Sequence, residues 1–227
     1  MRFILLFSLS ICFLTTPISA QDESVDSIDQ NILIKYVDFS LTPGFPTSTF
    51  KDKLDRKMFG CSFTFLKQRD ISQMGLLGVQ MAYQHLGAVS RIYTDFEVRT
   101  GTNLWNLKMM YRYYPDFFFW RIEPFIEAGF GPQIMYSLTT TTFFTDGASD
   151  FMFDETNLGL TYMAGFGFTT YLSDGFLFLT KFNIHSSTNM TYLAPREYSS
   201  GLPIDNFDLE RSAINYFDLH IGISYVF

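Results

Sequence analysis

The chain has 227 residues, of which 19% are aromatic and only 17% charged. Its 23 acids outnumber its 16 lysines and arginines, for a formal charge of −7 without a basic stripe, which argues against a nucleic-acid partner. Two cysteines, Cys12 and Cys61, are too few for a disulfide-stapled secreted scaffold.

The first twenty residues have the layout of an export signal. Arg2 precedes an apolar core from Phe3 to Leu14, and Pro17-Ile18-Ser19-Ala20 leads into the polar run Gln21-Asp22-Glu23-Ser24. About a dozen apolar residues fall short of the roughly 20 that a membrane-spanning helix needs, so cleavage after Ala20 is expected. Lipoprotein processing at Cys12 is disfavoured because bulky Ile11 precedes it. The mature chain would have 207 residues and a charge of −8, since Arg2 is lost and every acid is kept. Residues 21–31 read as a periplasmic segment and 32–227 as a single domain. No stretch beyond residue 20 has eighteen consecutive apolar residues, so spanning helices are excluded. In lipid every backbone polar group must be paired internally, and the alternative to helices is a closed barrel.

Eight runs of period two follow. Val37, Phe39 and Leu41 alternate with Tyr36, Asp38 and Ser40. Phe59, Cys61, Phe63 and Phe65 alternate with Gly60, Ser62 and Thr64, and Leu77, Val79, Met81 and Tyr83 with Gly78, Gln80 and Ala82. Next, Trp105, Leu107, Met109, Tyr111 and Tyr113 alternate with Asn106, Lys108, Met110 and Arg112. Ile122, Pro124, Ile126, Ala128 and Phe130 alternate with Arg121, Glu123, Phe125, Glu127 and Gly129. Leu158, Leu160, Tyr162, Ala164, Phe166 and Phe168 alternate with Gly159, Thr161, Met163, Gly165, Gly167 and Thr169. After the turn Ser173-Asp174-Gly175, Phe176, Phe178, Thr180, Phe182 and Ile184 alternate with Leu177, Leu179, Lys181, Asn183 and His185. Finally Phe217, Leu219, Ile221, Ile223, Tyr225 and Phe227 alternate with Asp218, His220, Gly222 and Ser224.

The fold class expected is all-β, a transmembrane antiparallel up-and-down barrel of eight strands. Connections at 67–73, 115–119 and 172–175 are short, whereas those near 43–57, 87–99, 137–155 and 189–213 are long. Short turns belong on the periplasmic side and long loops outside. The β-prone segment 89–98 leaves a ten-strand variant open; counted alone it would break the even number, so it reads as an arm of the second external loop. Trp105 and Trp120 then fall at opposite membrane interfaces, as aromatic girdles require. A soluble sandwich would instead need two opposed apolar faces.

Ten ionisable groups share the inward parity: Asp38, Lys108, Arg112, Arg121, Glu123, Glu127, Lys181, His185, Asp218 and His220. An eight-stranded barrel is just wide enough for side chains to fill it, so the expectation is a network of paired charges. Gly129, Gly131, Gly165 and Gly167 face inward too and relieve crowding there. No cofactor and no metal site is expected, for there is neither a paired-cysteine spacing nor an HExxH. Spacing of two places His185 and Ser187 on one strand face, where imidazole would serve as base to the hydroxyl and Glu197 would orient it. Asn189-Met190-Thr191 has the form of a glycosylation acceptor, incidental in a bacterial loop.

Five stretches carry resemblances. His185-Ser186-Ser187 resembles the His-x-Ser strand of the outer-membrane lipid A 3-O-deacylases, which are also eight-stranded; here Thr188 follows where that family continues with Ser-Asn, and His185 has the lumen-facing parity. The run Glu123-Pro124-Phe125-Ile126-Glu127-Ala128-Gly129-Phe130-Gly131, and Tyr162 to Phe168 running into Leu172-Ser173-Asp174-Gly175, resemble the OmpX-like and OmpA-like small outer-membrane barrels. Ser40-Leu41-Thr42-Pro43-Gly44 with Thr49-Phe50-Lys51-Asp52-Lys53 looks like barrels of Bacteroidota. The alternating end at Phe227 resembles the terminal signature read by the outer-membrane assembly machinery. The resemblance implies an outer-membrane location, membrane lipid and lipopolysaccharide as surroundings, and a monomer. Three roles stand beside it. The first is a structural or adhesive barrel whose loops, including 139–153 and 194–211, meet host or surface ligands; the second is a narrow pore for small solutes; the third is a lipid A hydrolase built on His185 and Ser187.

Overall fold

Alternation of bulky apolar with small or polar residues sends successive side chains to opposite faces of a strand, and where both faces can be satisfied the sheet closes on itself. The computed structural model describes residues 33–53, 57–68, 74–116, 121–145, 147–195 and 207–227. The expected export signal, segment 21–31, Trp120 and Glu197 lie outside the described residues. The elements are β1 (Lys35–Pro46), α1 (Ser48–Lys53), β2 (Met58–Gln68), β3 (Gly75–Ile92), β4 (Phe96–Tyr113), β5 (Ile122–Phe143), β6 (Ser149–Ser173), β7 (Phe176–Ser187), β8 (Asn189–Pro195), β9 (Phe207–Ala213) and β10 (Tyr216–Val226).

Eight of these strands form a closed antiparallel barrel in the order β1-β10-β7-β6-β5-β4-β3-β2, and β8 and β9 form a separate two-stranded sheet. The seam joins the first strand to the last, with Phe39 opposite Ile223 and Leu41 opposite Ile221. Backbone hydrogen bonds of 3.0 Å in both directions between Lys35 and Phe227 finish it. Gly175, at φ +77°, makes the tight turn from β6 to β7.

The outer wall is apolar. Leu107, Met109, Ile126, Phe130, Leu160, Phe166, Ile184 and Ile223 are among the large hydrophobic side chains that face outward, and Met109 and Phe166 are 63% and 62% exposed. A continuous belt of this kind is a surface for hydrocarbon, and it makes the chain a transmembrane barrel.

The structure revises the expected layout above the belt. Segments 87–99 and 137–155 are not loops: β3 and β4 pair as far as Ile92 and Glu97, and β5 and β6 as far as Thr142 and Ser149. The run Thr139 to Thr142 is β-branched throughout and prolongs the pairing. A bulge between His85 and Ala88, with Gly87 at φ +105°, and another between Ser137 and Leu138 mark one level where the sheet leaves the barrel. Above it β3, β4, β5 and β6 continue as a four-stranded sheet, because β2 pairs with β3 only up to His85 and β7 with β6 only from Thr161.

Candidate functional site: a filled lumen beneath a projecting sheet

The inward positions carry two joined clusters. In the one nearer the β6–β7 turn, Arg112 stands opposite Glu127 on the neighbouring strand. Its Nε and Nη2 donate to Glu127 Oε2 at 3.1 and 3.0 Å, and Nη2 also donates to Asp38 Oδ2 at 2.6 Å. Lys181 Nζ lies 2.8 Å from Glu127 Oε1, and Ser224 Oγ donates to Asp38 Oδ1 at 2.6 Å. The guanidinium also covers the Phe125 ring, 4.2 Å from its centroid. Room for this comes from glycine: a Cβ on Gly167 would sit 2.5 Å from Lys181 Cβ and 2.6 Å from Phe125 Cζ.

In the second cluster Asp218 lies between two histidines, with Oδ2 3.1 Å from His185 Nε2 and Oδ1 3.0 Å from His220 Nε2. Gln84 Nε2 donates to Asp218 Oδ2 at 3.2 Å, and Lys108 Nζ is 3.2 Å from His185 Nδ1. His220 Nδ1 meets Ser40 Oγ at 2.9 Å and Ser62 Oγ at 3.1 Å. His185 stacks on Tyr216, with centroids 4.3 Å apart. Among the described residues three acids (Asp38, Glu127, Asp218) and three basic side chains (Lys108, Arg112, Lys181) are buried in this space, so their formal charges sum to zero when the imidazoles are neutral. Arg121 is exposed and Glu123 half-buried. They share the parity but stand where β5 begins, short of the packed layer, and neither joins the network.

Ligand atoms of His185, Asp218 and His220 lie within 4.8 Å of one another, the geometry of a three-donor metal site. The chemistry of the donors argues against a dication. Both carboxylate oxygens already meet imidazoles, Lys108 adjoins His185, and two added charges would have no counter-charge in a lumen whose acids and bases balance. Nor are His185 and Ser187 assembled as base and nucleophile. Ser187 Oγ donates to the Thr188 carbonyl and accepts from the Ile214 amide, both at 2.9 Å, while His185 is engaged by Asp218 and Lys108.

Both ends of the lumen are closed by apolar side chains. Leu66, Leu76, Met110 and Met163, with Tyr36 and Tyr114 against them, pack at the end that holds the β6–β7 turn. At the other end Phe50 from α1, Met190, Tyr192 and Ala194 from β8, and Met58, Leu86, Leu104 and Met135 from the wall form one buried cluster. The segment 194–211, expected to present polar residues outward, therefore begins as part of a plug. Alternation of Met190, Tyr192 and Ala194 with Asn189 and Thr191 was the available signal, masked by the acceptor motif across it. An ion pair between Lys53 and Glu210 ties α1 to β9. Its hydrogen bond raises the Lys53 pKa, and burial raises that of the Tyr192 hydroxyl.

Trp105 lies at the upper margin of the belt beside Tyr83, ring centroids 5.2 Å apart. Phe217, Leu219, Ile221, Ile223, Tyr225 and Phe227 form the outward row of β10 and its last residue, with Ile221, Ile223, Tyr225 and Phe227 exposed.

No family model matches the chain, and no curated protein matches it. Solved structures do resemble it. A major outer membrane protein from Thermus thermophilus aligns over 86% of this chain and 99% of its own, at 10% identity and a TM-score of 0.48. Ail, the attachment invasion locus protein of Yersinia pestis, solved with the heparin analogue sucrose octasulfate, aligns over 86% and 97% at 9% identity and 0.44. Neisserial surface protein A aligns over 85% and 96% at 9% identity and 0.39. The closed sheet and its apolar belt define the class of the chain: a small eight-stranded transmembrane barrel.

Proposed function

We propose that this is an integral outer-membrane protein whose working part is the projecting sheet, a surface for binding an extended polypeptide of another protein. The observation that carries the reading is the upper edge of β6, which among the described residues pairs with no strand on that side. From Ser149 to Asn157 it lies above the ladder with β7, and Phe151, Met152 and Phe153 are exposed along it. An unpaired strand edge offers backbone donors and acceptors to an added strand. Asp150 and Glu155 on the same strand favour a partner segment that mixes basic with apolar residues. The filled lumen supports the choice, since packed charges and an apolar plug leave little room for solute passage, and Ser187 is not held by a base.

The test uses the purified barrel in nanodiscs and a surface-bound peptide of alternating lysine and valine. The wild type should bind, and Phe151→Asp with Phe153→Asp should weaken binding roughly tenfold or more, two exposed apolar contacts at about 1 kcal/mol each. Equal binding by the wild type and the double variant would reject the edge as the site.

A further inference from the structure

The outward face of the projecting sheet carries a second feature, distinct from its edge. Directly above the girdle of Tyr83, Trp105 and Tyr136 the wall is indented by a cleft of about 580 Å³. Its floor is made of small residues, Ala88 opposite Gly101. His85, Asn103 and Tyr136 bound it from below, and Arg99, Glu97 and Thr140 from above. The lower wall is held in place: Tyr83 Oη donates to Asn103 Oδ1 at 2.7 Å, and His85 Nδ1 meets the same oxygen at 2.9 Å. Since that oxygen only accepts, Nδ1 carries a proton towards it. Arg99 is exposed and, among the described residues, has no ion-pair partner.

We infer that this cleft holds the phosphorylated sugar headgroup of an outer-leaflet glycolipid. Position argues for it first. The cleft lies on the parity that faces hydrocarbon two residues lower, at Trp105, and Arg99 is six residues up β4 from Trp105, about 20 Å along the strand. A group anchored by acyl chains against the belt has its polar head at that height. The lining supplies the rest. Asn103, Glu97 and Thr140 suit the hydroxyl groups of a sugar, Tyr136 offers a ring to its apolar face, and Arg99 offers a fork of donors to a phosphate. The β6 edge borders the same face, since Phe151 and Phe153 stand opposite Thr140 and Leu138 and the Phe153 ring lies 5.9 Å from that of Tyr136.

The experiment measures binding of the full barrel in detergent micelles by native mass spectrometry, with heat-modifiable gel mobility confirming that each variant is folded. Four probes are used: a rough-type lipopolysaccharide, the same glycolipid with its phosphates removed, its de-acylated phosphorylated oligosaccharide, and phosphatidylglycerol. The intact glycolipid should bind best. Removing phosphate, or Arg99→Ala, should each weaken it roughly tenfold, the loss of one charged hydrogen-bonded contact, and together they should cost little more. Thr140→Trp, which fills the cleft and leaves Arg99 in place, should abolish binding. Met152→Asp, opposite Thr139 on the other face of the sheet, should leave it unchanged. Equal binding of phosphatidylglycerol, or indifference to both Arg99→Ala and Thr140→Trp, would overturn the proposal. Oligosaccharide bound as tightly as the intact glycolipid would overturn the membrane source and assign the cleft to free sugar phosphates.

Discussion

Arg112 is the side chain on which most of the lumen converges. It bonds two carboxylates on two other strands while its plane covers Phe125, a combination that the point charge of lysine cannot reproduce. Removing one member of a buried ion network leaves the others uncompensated, at about 3–5 kcal/mol. Arg112→Met should therefore destabilise the barrel by about that amount in urea unfolding from lipid vesicles, and Arg112→Lys should recover only part of it. A change below about 1 kcal/mol would show that the lumen tolerates unpaired acids, through water or repacking. At this scale alternation was enough to assign parity: Lys108, Arg112 and Glu127 point inward because their neighbours are large and apolar. It could not say who pairs with whom. The contact of Arg112 with Asp38 spans 74 positions in sequence and depends on the order in which strands surround the lumen. Nor could parity show that Arg121 and Glu123 lie beyond the packed layer, because height is set by where a strand begins.

At the scale of elements, the transmembrane strands were legible and the pieces above them were not. Lipid imposes a strict period of two on a strand that crosses it, whereas α1 and the β8–β9 hairpin follow from a local demand to cover the mouth of the lumen. Phe50 and Tyr192 meet edge to face there, centroids 5.4 Å apart. Phe50→Ala should cost about 3–5 kcal/mol of local packing. The hairpin should then exchange its amide hydrogens at least tenfold faster, with the barrel strands unaffected. Equal acceleration throughout would mean that the plug and the barrel unfold together. The pH response follows from two raised values. The Lys53 contribution is present below the ordinary lysine value of 10.5 and fades as pH rises through the raised one. Tyr192 resists ionisation, so the hairpin loses stability above the ordinary tyrosine value of 10.0. Both signs agree: hairpin protection, corrected for intrinsic exchange, should hold from neutral pH to about 9 and fall only above about 10.

For the whole molecule, an apolar belt surrounds a lumen in which buried acids and bases are paired. The two bulges at one level turn four of its strands from wall into projecting sheet, and both proposed surfaces belong to that sheet. The even count of strands was readable because a closed sheet of this type with both ends on one side requires it. The projection was not, since exposed β-branched runs such as Thr139 to Thr142 look the same in a loop as in a paired arm. The most direct test of the arrangement is accessibility in intact cells. With Cys61 replaced by serine, single cysteines at Thr141 in the sheet and at Asp174 in the β6–β7 turn would be exposed to a membrane-impermeant maleimide. Labelling is expected at position 141 in whole cells, and at 174 only after the outer membrane is permeabilised. Labelling of 174 in intact cells with 141 protected would invert the barrel, and labelling of both would contradict a membrane-spanning arrangement altogether.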